Sequence, residues 1–450
     1  MYTERPFKLA ISPACAHLLE VFSCARRDTE EEKRLLKTGS EGSGNWRMAS
    51  KLVYLAIASA LLAYYFYLPL PENVEEGWKV MFIDSMLRTL SHVAQLSDRL
   101  GMPYYMDIMM LFMSSRNVPP ISDENVTVTD IAFNNVPVRL FIPKKPSNAL
   151  RRAMIYFHGG GWCIGSPAMK PYDLLSRWIA DRLNAVVVSV DYRLALVHPF
   201  PVPFEDSYAT AKYFLQKEIL EKYNVDPDRI CVSGDSAGGN VAAAVTQQLQ
   251  DDIEVKVKPK MQALIYPALQ TIDLDTPSYR DNSHMPILNR KSMARFWSAY
   301  FASDLLLTEA MQSNTHVSSE SNHLIKFANW SNLLPEELKR NHVYRSPEFG
   351  ESQFLKAYPG IADPRAAPLL VVDEKLSKLP RTYMLTCMYD VLRDDGFMYV
   401  SRLKQAGVKV IHDHYDNAFH GMLLFITWPT DLSLGFRMVN NYINWLNENL

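Results

Sequence analysis

Cysteine is scarce in this 450-residue chain. Its five residues, Cys15, Cys24, Cys163, Cys231 and Cys387, are too few for a disulfide scaffold, and their spacings match no zinc pattern. An excess of either charge is also missing: 47 Lys and Arg stand against 49 Asp and Glu. That balance argues against a nucleic-acid partner. No internal repeat is visible. Glycine is thin too, 18 in all, yet three stand together at Gly159–Gly161 in "FHGGGWCIGS". Consecutive glycines lose more backbone entropy on folding than any other residues. Their missing side chains must therefore serve a tight turn, a close approach, or backbone N–H groups shown to a ligand.

Long apolar runs are equally rare, with one exception. "LVYLAIASALLAYYFYLPL", Leu52 to Leu70, carries no charge and approaches the ~20 residues that span a bilayer. Tyr64, Tyr65 and Tyr67 crowd its C-terminal end, where an aromatic belt sits. The run exceeds a typical signal-peptide core and lacks a small-residue cleavage site. We therefore expect an uncleaved signal-anchor over 48–70, against the bland alternative of a core helix. Lys33, Arg34, Lys37, Arg47 and Lys51 precede it, whereas only Lys79 and Arg88 follow through residue 90. The positive-inside rule then leaves the N-terminus cytosolic and 71–450 across the membrane. Residues 1–47 are charged, aperiodic and end in "GSEGSGN", so a disordered extension is expected there. Met48 offers a second candidate start.

Beyond the run, Trp78 to Ser115 reads as helical, with a methionine stripe from Met81 to Met113. Such a stripe is more often core than ligand wall, although methionine adapts to varied partners. From Asn125 short β-type runs appear: "VTVTDIAF", "PVRLFIP", "AMIYFH", "AVVVSVDY", "RICVS", "MQALIYP", "TYMLTC" and "VKVIHDH". Several are unbroken apolar stretches, as in strands buried on both faces. Helical segments separate them, notably Tyr172–Leu183, Phe204–Gln216, Ala237–Leu249, Gly396–Gln405 and Leu432–Leu446. Such alternation predicts an α/β fold with a mostly parallel sheet of about eight strands. About 74–118 and 270–350 lack clear strands and are expected to form a helical cap.

"RICVSGDSAGGN" carries the strongest chemical signal. A short strand runs into Gly234-Asp235-Ser236-Ala237-Gly238 and then into the helical "NVAAAVTQQLQ". That is G-x-S-x-G between strand and helix, the nucleophile-elbow context. Ser236 is the expected nucleophile, with Gly234 and Gly238 giving room for the turn. Gly161-Trp162-Cys163-Ile164-Gly165 spells a rival elbow, but Ser166-Pro167 follows where a helix is needed. The glycine cluster now has a use. An HGGG-type loop after a strand donates N–H groups to an oxyanion hole. Here His158 and Gly159 open the loop, and Gly160, Gly161 and Ala237 supply the expected donors.

A serine of this kind needs an acid and then a histidine further along the chain. Asp390 follows the apolar strand Thr382–Cys387, at the edge where ligands sit in open α/β sheets. Asp394 and Asp395 precede a helical stretch and are expected as its cap and first turn. His420, followed by Gly421, lies beyond the last strand and is the expected base. His412 and His414 alternate within that strand, and no third ligand spacing supports a metal site.

With HGGGW, "DYRLALVHPFP", GDSAGGN, Asp390 and His420 together, the chain resembles the hormone-sensitive-lipase group of α/β-hydrolases from about Met48 to Leu450. The resemblance implies a type II endoplasmic-reticulum membrane enzyme with a lumenal catalytic domain. It would hydrolyse arylacetamides, small-molecule esters and lipid esters through Ser236, Asp390 and His420, with no metal or cofactor. A dedicated neutral-lipid or cholesteryl ester hydrolase is the alternative enzyme. A small-molecule-binding protein on the same fold is the non-enzyme alternative, and relatives of that kind have lost the histidine that "AFHG" retains here. Leu196 departs from the group, which usually has Pro after DYRLA. The resemblance also pairs Cys163 with Cys387, each expected at the C-terminal edge of the sheet. Asn125-Val-Thr and Asn329-Trp-Ser are candidate glycosylation sites on the side read as lumenal.

Overall fold

The computed structural model describes residues 43–100, 105–350 and 353–450. Most of the expected extension over 1–47, with Cys15 and Cys24, lies outside the described residues, as does Met102. The chain divides into two compact units, the first ending at Tyr67 and the second running Leu68–Leu450.

Among its described residues the first unit shows one helix, α1 (Ser43–Phe66). It stops short of Leu70 because Pro69 and Pro71 follow, and a residue before proline is driven out of helical conformation. Among the described residues no helix is long and apolar enough to cross a membrane. The uncharged helical stretch Leu52–Phe66 rises about 22 Å, against ~30 Å of bilayer hydrocarbon. Its large side chains are nonetheless exposed on all sides, from Leu52, Val53 and Tyr54 to Leu61, Leu62 and Tyr64.

In the second unit the segment read as one helix is two, α2 (Gly77–Arg99) and α3 (Tyr105–Ser114). The sequence between them holds Gly101 and Pro103, both poor helix formers. Eight strands follow among the described residues: β1 (Val126–Phe133), β2 (Val136–Pro143), β3 (Arg151–Phe157), β4 (Ala185–Val190), β5 (Val225–Asp235), β6 (Met261–Ile265), β7 (Arg381–Tyr389) and β8 (Val410–Phe419). They form one sheet in the order β1-β2-β4-β3-β5-β6-β7-β8. β2 runs antiparallel to both β1 and β4, and the five remaining pairs are parallel.

The parallel strands are buried on both faces, which explains their unbroken apolar runs. Alternate side chains enter two cores. Ala153, Ile155 and Phe157 of β3 join one, and Met154 and Tyr156 join the other. α5 (Val202–Phe214), α6 (Ala237–Asp251) and α9 (Arg393–Gln405) pack on the first face. α4 (Lys170–Leu183) and α10 (Ser433–Asn449) pack on the second. The insertion after β6 contributes α7 (Arg290–Phe301) and α8 (Leu305–Ser313), capped by Asn289 and Asp304. No strand occurs among the described residues of 270–350. Leu196 packs against the first core.

The expected Cys163–Cys387 bridge is not formed. Both cysteines are buried free thiols, as is Cys231. Cys163 belongs to the core on one face of the sheet and Cys387 to the core on the other. Reaching the same edge does not bring two sulfurs together when alternation along β7 turns Cys387 away.

Candidate active site

β5 ends at Asp235 and α6 begins at Ala237, so Ser236 is the whole turn, with φ 57° and ψ −120°. A non-glycine residue adopts such a conformation only where its surroundings enforce it. The Ser236 N–H donates to the Ile265 carbonyl at 2.9 Å. A Cβ on Gly234 would lie 2.3 Å from the Gly238 carbonyl oxygen, and one on Gly238 would lie 2.0 Å from that of Phe157. Both positions of the motif thus require glycine sterically.

Asp390 follows β7 and His420 follows β8, at the same sheet edge as Ser236. His420 Nδ1 stands 2.7 Å from Asp390 Oδ2, and His420 Nε2 stands 2.8 Å from Ser236 Oγ. An ionised carboxylate only accepts, so Nδ1 carries the proton and Nε2 is left to accept from the serine hydroxyl. Asp390 is fully buried, and its second oxygen accepts the Leu392 N–H at 2.8 Å. Asn282, from the cap insertion, donates to the carbonyls of Met388 and Asp390 at 3.0 and 2.9 Å. The Tyr266 ring lies beside His420, centroids 4.8 Å apart.

The glycine loop leaves β3 toward the same point. Gly160 and Gly161 have φ of 113° and 59°, and a Cβ on Gly161 would meet the Phe296 ring at 2.1 Å. Among the described residues no protein group accepts the N–H of Gly160, Gly161 or Ala237. Unpaired backbone donors beside a nucleophile are what a developing oxyanion requires.

Asp235 fixes the loop to the elbow, and its motif position gave no hint of this. Its carboxylate accepts from Tyr156 Oη at 2.9 Å, Gly159 N at 3.0 Å and Tyr172 Oη at 3.1 Å. Burial pushes its pKa up to about 6, partly offset by those donors. His158 belongs to the scaffold rather than to the chemistry. It stacks on Tyr192 at 4.4 Å, and burial pulls its pKa down to about 4, so the ring is neutral.

The remaining candidates lie apart from this cluster. Burial pushes the Cys163 thiol up, which leaves its rival elbow without a thiolate. Asp394 and Asp395 occupy the first turn of α9, but they are buried and Leu392 holds the cap position. Asp394 accepts the Ser278 N–H at 2.7 Å and Asp395 the Leu269 N–H at 2.9 Å, so they tie the cap insertion to the acid loop. His412 and His414 share the Thr386 hydroxyl, each at 2.8 Å. No metal-binding group of three occurs among the described residues. Asn125 is exposed, whereas the Asn329 oxygen caps the short helix Trp330–Leu333 through the Ser331 N–H.

A cavity of about 100 Å³ lies within the cap, bounded by α2, α3 and α7. Its apolar wall comes from Leu87, Met106, Met109, Ile287 and Phe296. Phe296 is the ring against Gly161, and Ile287 stands 3.6 Å from where a Gly421 Cβ would be. Two of its lining side chains, Phe296 and Ile287, thus pack against the glycine loop and the residue after His420.

A serine on a strand–helix elbow, a histidine and a buried aspartate in that chain order, and a mostly parallel sheet define a serine hydrolase of the α/β-hydrolase class. Residues 154–329 and 328–424 match the family model described as the alpha/beta hydrolase fold. Arylacetamide deacetylase of Bos taurus is 53% identical over 403 residues, covering 90% of this chain and 100% of that protein. Neutral cholesterol ester hydrolase 1 of Bos taurus is 44% identical over 408 residues, with shares of 90% and 100%. The solved structure of a bacterial heroin esterase, 26% identical, superposes with a TM-score of 0.54 over 76% of this chain and 89% of that one. The chain belongs to the α/β-hydrolase family, in the group that includes arylacetamide deacetylase.

Proposed function

We propose that the protein hydrolyses small-acyl esters and aryl amides through an acyl-enzyme on Ser236. His420 Nε2 takes the hydroxyl proton as Oγ attacks the carbonyl carbon, while Asp390 holds Nδ1–H and steadies the imidazolium. The N–H groups of Gly160, Gly161 and Ala237 receive the oxyanion, each such donor contributing roughly 3 kcal/mol. His420 returns its proton to the departing alcohol or amine. It then takes a proton from water, whose oxygen attacks the acyl carbon, and passes that proton to Ser236 Oγ as the acyl–Oγ bond breaks, which releases the acid and restores the free serine. The unbroken Ser236–His420–Asp390 hydrogen-bond line carries this reading. The names of the relatives, an arylacetamide deacetylase and an esterase, supply the substrate class.

Small-acyl esters and aryl amides are preferred to steryl esters on the same ground, 53% identity to an arylacetamide deacetylase against 44% to a neutral cholesterol ester hydrolase. Purified protein offered 4-nitrophenyl acetate, an aryl acetamide, a diacylglycerol and cholesteryl oleate should hydrolyse the first two fastest. Turnover confined to cholesteryl oleate would reverse the assignment, and no turnover at all would favour a binding protein.

The anchoring proposal rests on α1. Its apolar side chains are exposed on all sides, and although its uncharged stretch is shorter than the hydrocarbon thickness, Lys51 at the end of that stretch is long enough to snorkel. The charge flanks then favour Leu68–Leu450 on the far side of the membrane from the N-terminus, and the family resemblance points to the lumen of the endoplasmic reticulum. A glycosidase-sensitive mass shift in microsomes is expected. Digestion of the catalytic unit by protease added to intact microsomes would overturn the orientation.

A further inference from the structure

Two arginines line the cap cavity, Arg88 and Arg295. Arg88 bonds Asp84 at 2.6 Å, just as Arg280 and Arg290 elsewhere in the cap bond the two oxygens of Asp275 at 2.7 and 2.8 Å. Arg295 differs. It lines the cavity one residue before Phe296, and its guanidinium lies over the Tyr105 ring, 4.8 Å from the centroid. Tyr105 is itself held by Ser91, their hydroxyls 3.0 Å apart. Among the described residues no carboxylate or carbonyl accepts from Arg295. The charges lining the cavity are Asp84, Arg88 and Arg295, so the Asp84–Arg88 pair leaves one net positive charge.

Position along the cavity gives that charge a meaning. Phe296 marks the reacting end, since its ring rests on Gly161 of the glycine loop. Arg295 precedes it on α7 and shares the cavity wall with the apolar Leu87, Met106 and Met109 and with the polar Ser91, Asn289 and Ser292. A guanidinium held flat on an aromatic ring keeps its edge free for two parallel bonds to a carboxylate. A low-dielectric, half-buried setting strengthens such a bond relative to water. Resting on the reading of Ser236 as an ester and amide hydrolase, we propose that Arg295 selects substrates with an anionic group separated from the scissile carbonyl by a short apolar or aromatic spacer. The preferred class is thus acidic esters and amides rather than wholly neutral ones.

The substrates themselves provide the test. 4-Acetoxybenzoate is compared with 4-acetoxybenzamide, and phenyl hydrogen glutarate with its terminal carboxamide, so charge changes while size does not. In at least one pair kcat/KM should favour the carboxylate by about tenfold or more. Arg295→Leu should bring that ratio to one or below, and Arg295→Lys, a point charge without the fork, should retain part of it. No carboxylate preference in either pair of the natural protein overturns the proposal even if the variants fail to fold. So does a ratio unchanged in Arg295→Leu. Failure to hydrolyse any of the four esters would instead overturn the hydrolase reading on which it rests.

Discussion

The Asp235 carboxylate accepts the Gly159 N–H at 3.0 Å, so the residue before the nucleophile holds the first glycine of the oxyanion loop. Two segments 76 positions apart are thereby fixed to one another. Tyr156 and Tyr172 complete the clamp on the same carboxylate.

That clamp has a pH signature. Burial, the leading cause, raises Asp235 to about 6, above its unfolded value near 4. A carboxyl raised by folding binds its proton more tightly in the native state, so its stabilising effect is present below pH 4 and fades as pH rises to 6. The stability of the natural protein minus that of Asp235→Asn should therefore fall by roughly 3 kcal/mol between pH 4 and pH 7. Urea unfolding across that range measures it. A flat difference would mean that folding leaves the Asp235 pKa unshifted, and one that grows with pH that folding lowers it; either contradicts the raised value.

The oxyanion loop should not tolerate a methyl group. Gly161→Ala forces a Cβ to within 2.1 Å of the Phe296 ring at a φ that L-residues seldom adopt. We expect kcat to fall about a hundredfold, as for loss of one oxyanion donor. Combining it with Phe296→Ala should recover part of the loss by removing the clash. Full activity in Gly161→Ala would show that the loop is not part of the site.

Much of this was legible in the sequence, for a physical reason. Period and turn chemistry are local, so the run "VTVTDIAF" is β1 residue for residue, and helices α4 and α6 begin within two residues of their expected starts. The chain order of Ser236, Asp390 and His420 is likewise written along one strand edge. What could not be read was pairing across distance. Tyr172, Asn282 and Phe296 look like ordinary helix or loop residues until folding brings them to Asp235, Asp390 and Gly161. The mistaken disulfide has the same origin, because sequence gave the edge reached by Cys163 and Cys387 but not the face. Burial of Asp394 and Asp395 was hidden too, since their partners Ser278 and Leu269 lie more than a hundred residues away.

Asn282 acts through the acid loop without touching substrate. Its amide holds the carbonyls of Met388 and Asp390, and so sets where the Asp390 carboxylate points. Asn282→Ala should lower kcat roughly tenfold while KM changes little, because misorientation weakens transition-state stabilisation rather than binding. Asn282→Asp, which cannot donate to those carbonyls, should do no better. If KM rises while kcat holds, Asn282 shapes the pocket instead.

The cysteines provide a compositional check. Cys163, Cys231 and Cys387 are buried thiols, two of them on opposite faces of the sheet. Alkylation should modify none in the native protein and all three after unfolding without reductant. A Cys163–Cys387 disulfide peptide would contradict the packing described.

Ser236 is the nucleophile, activated by His420 and Asp390. Treatment with an organophosphate probe followed by peptide mapping tests it most directly. The probe should form one adduct, on Ser236, with loss of ester hydrolysis in step. Ser236→Ala should take up none while keeping its thermal transition, and Asp390→Asn should label slower by about three to four orders of magnitude. An adduct on another residue, or labelling that persists in Ser236→Ala, would contradict the account.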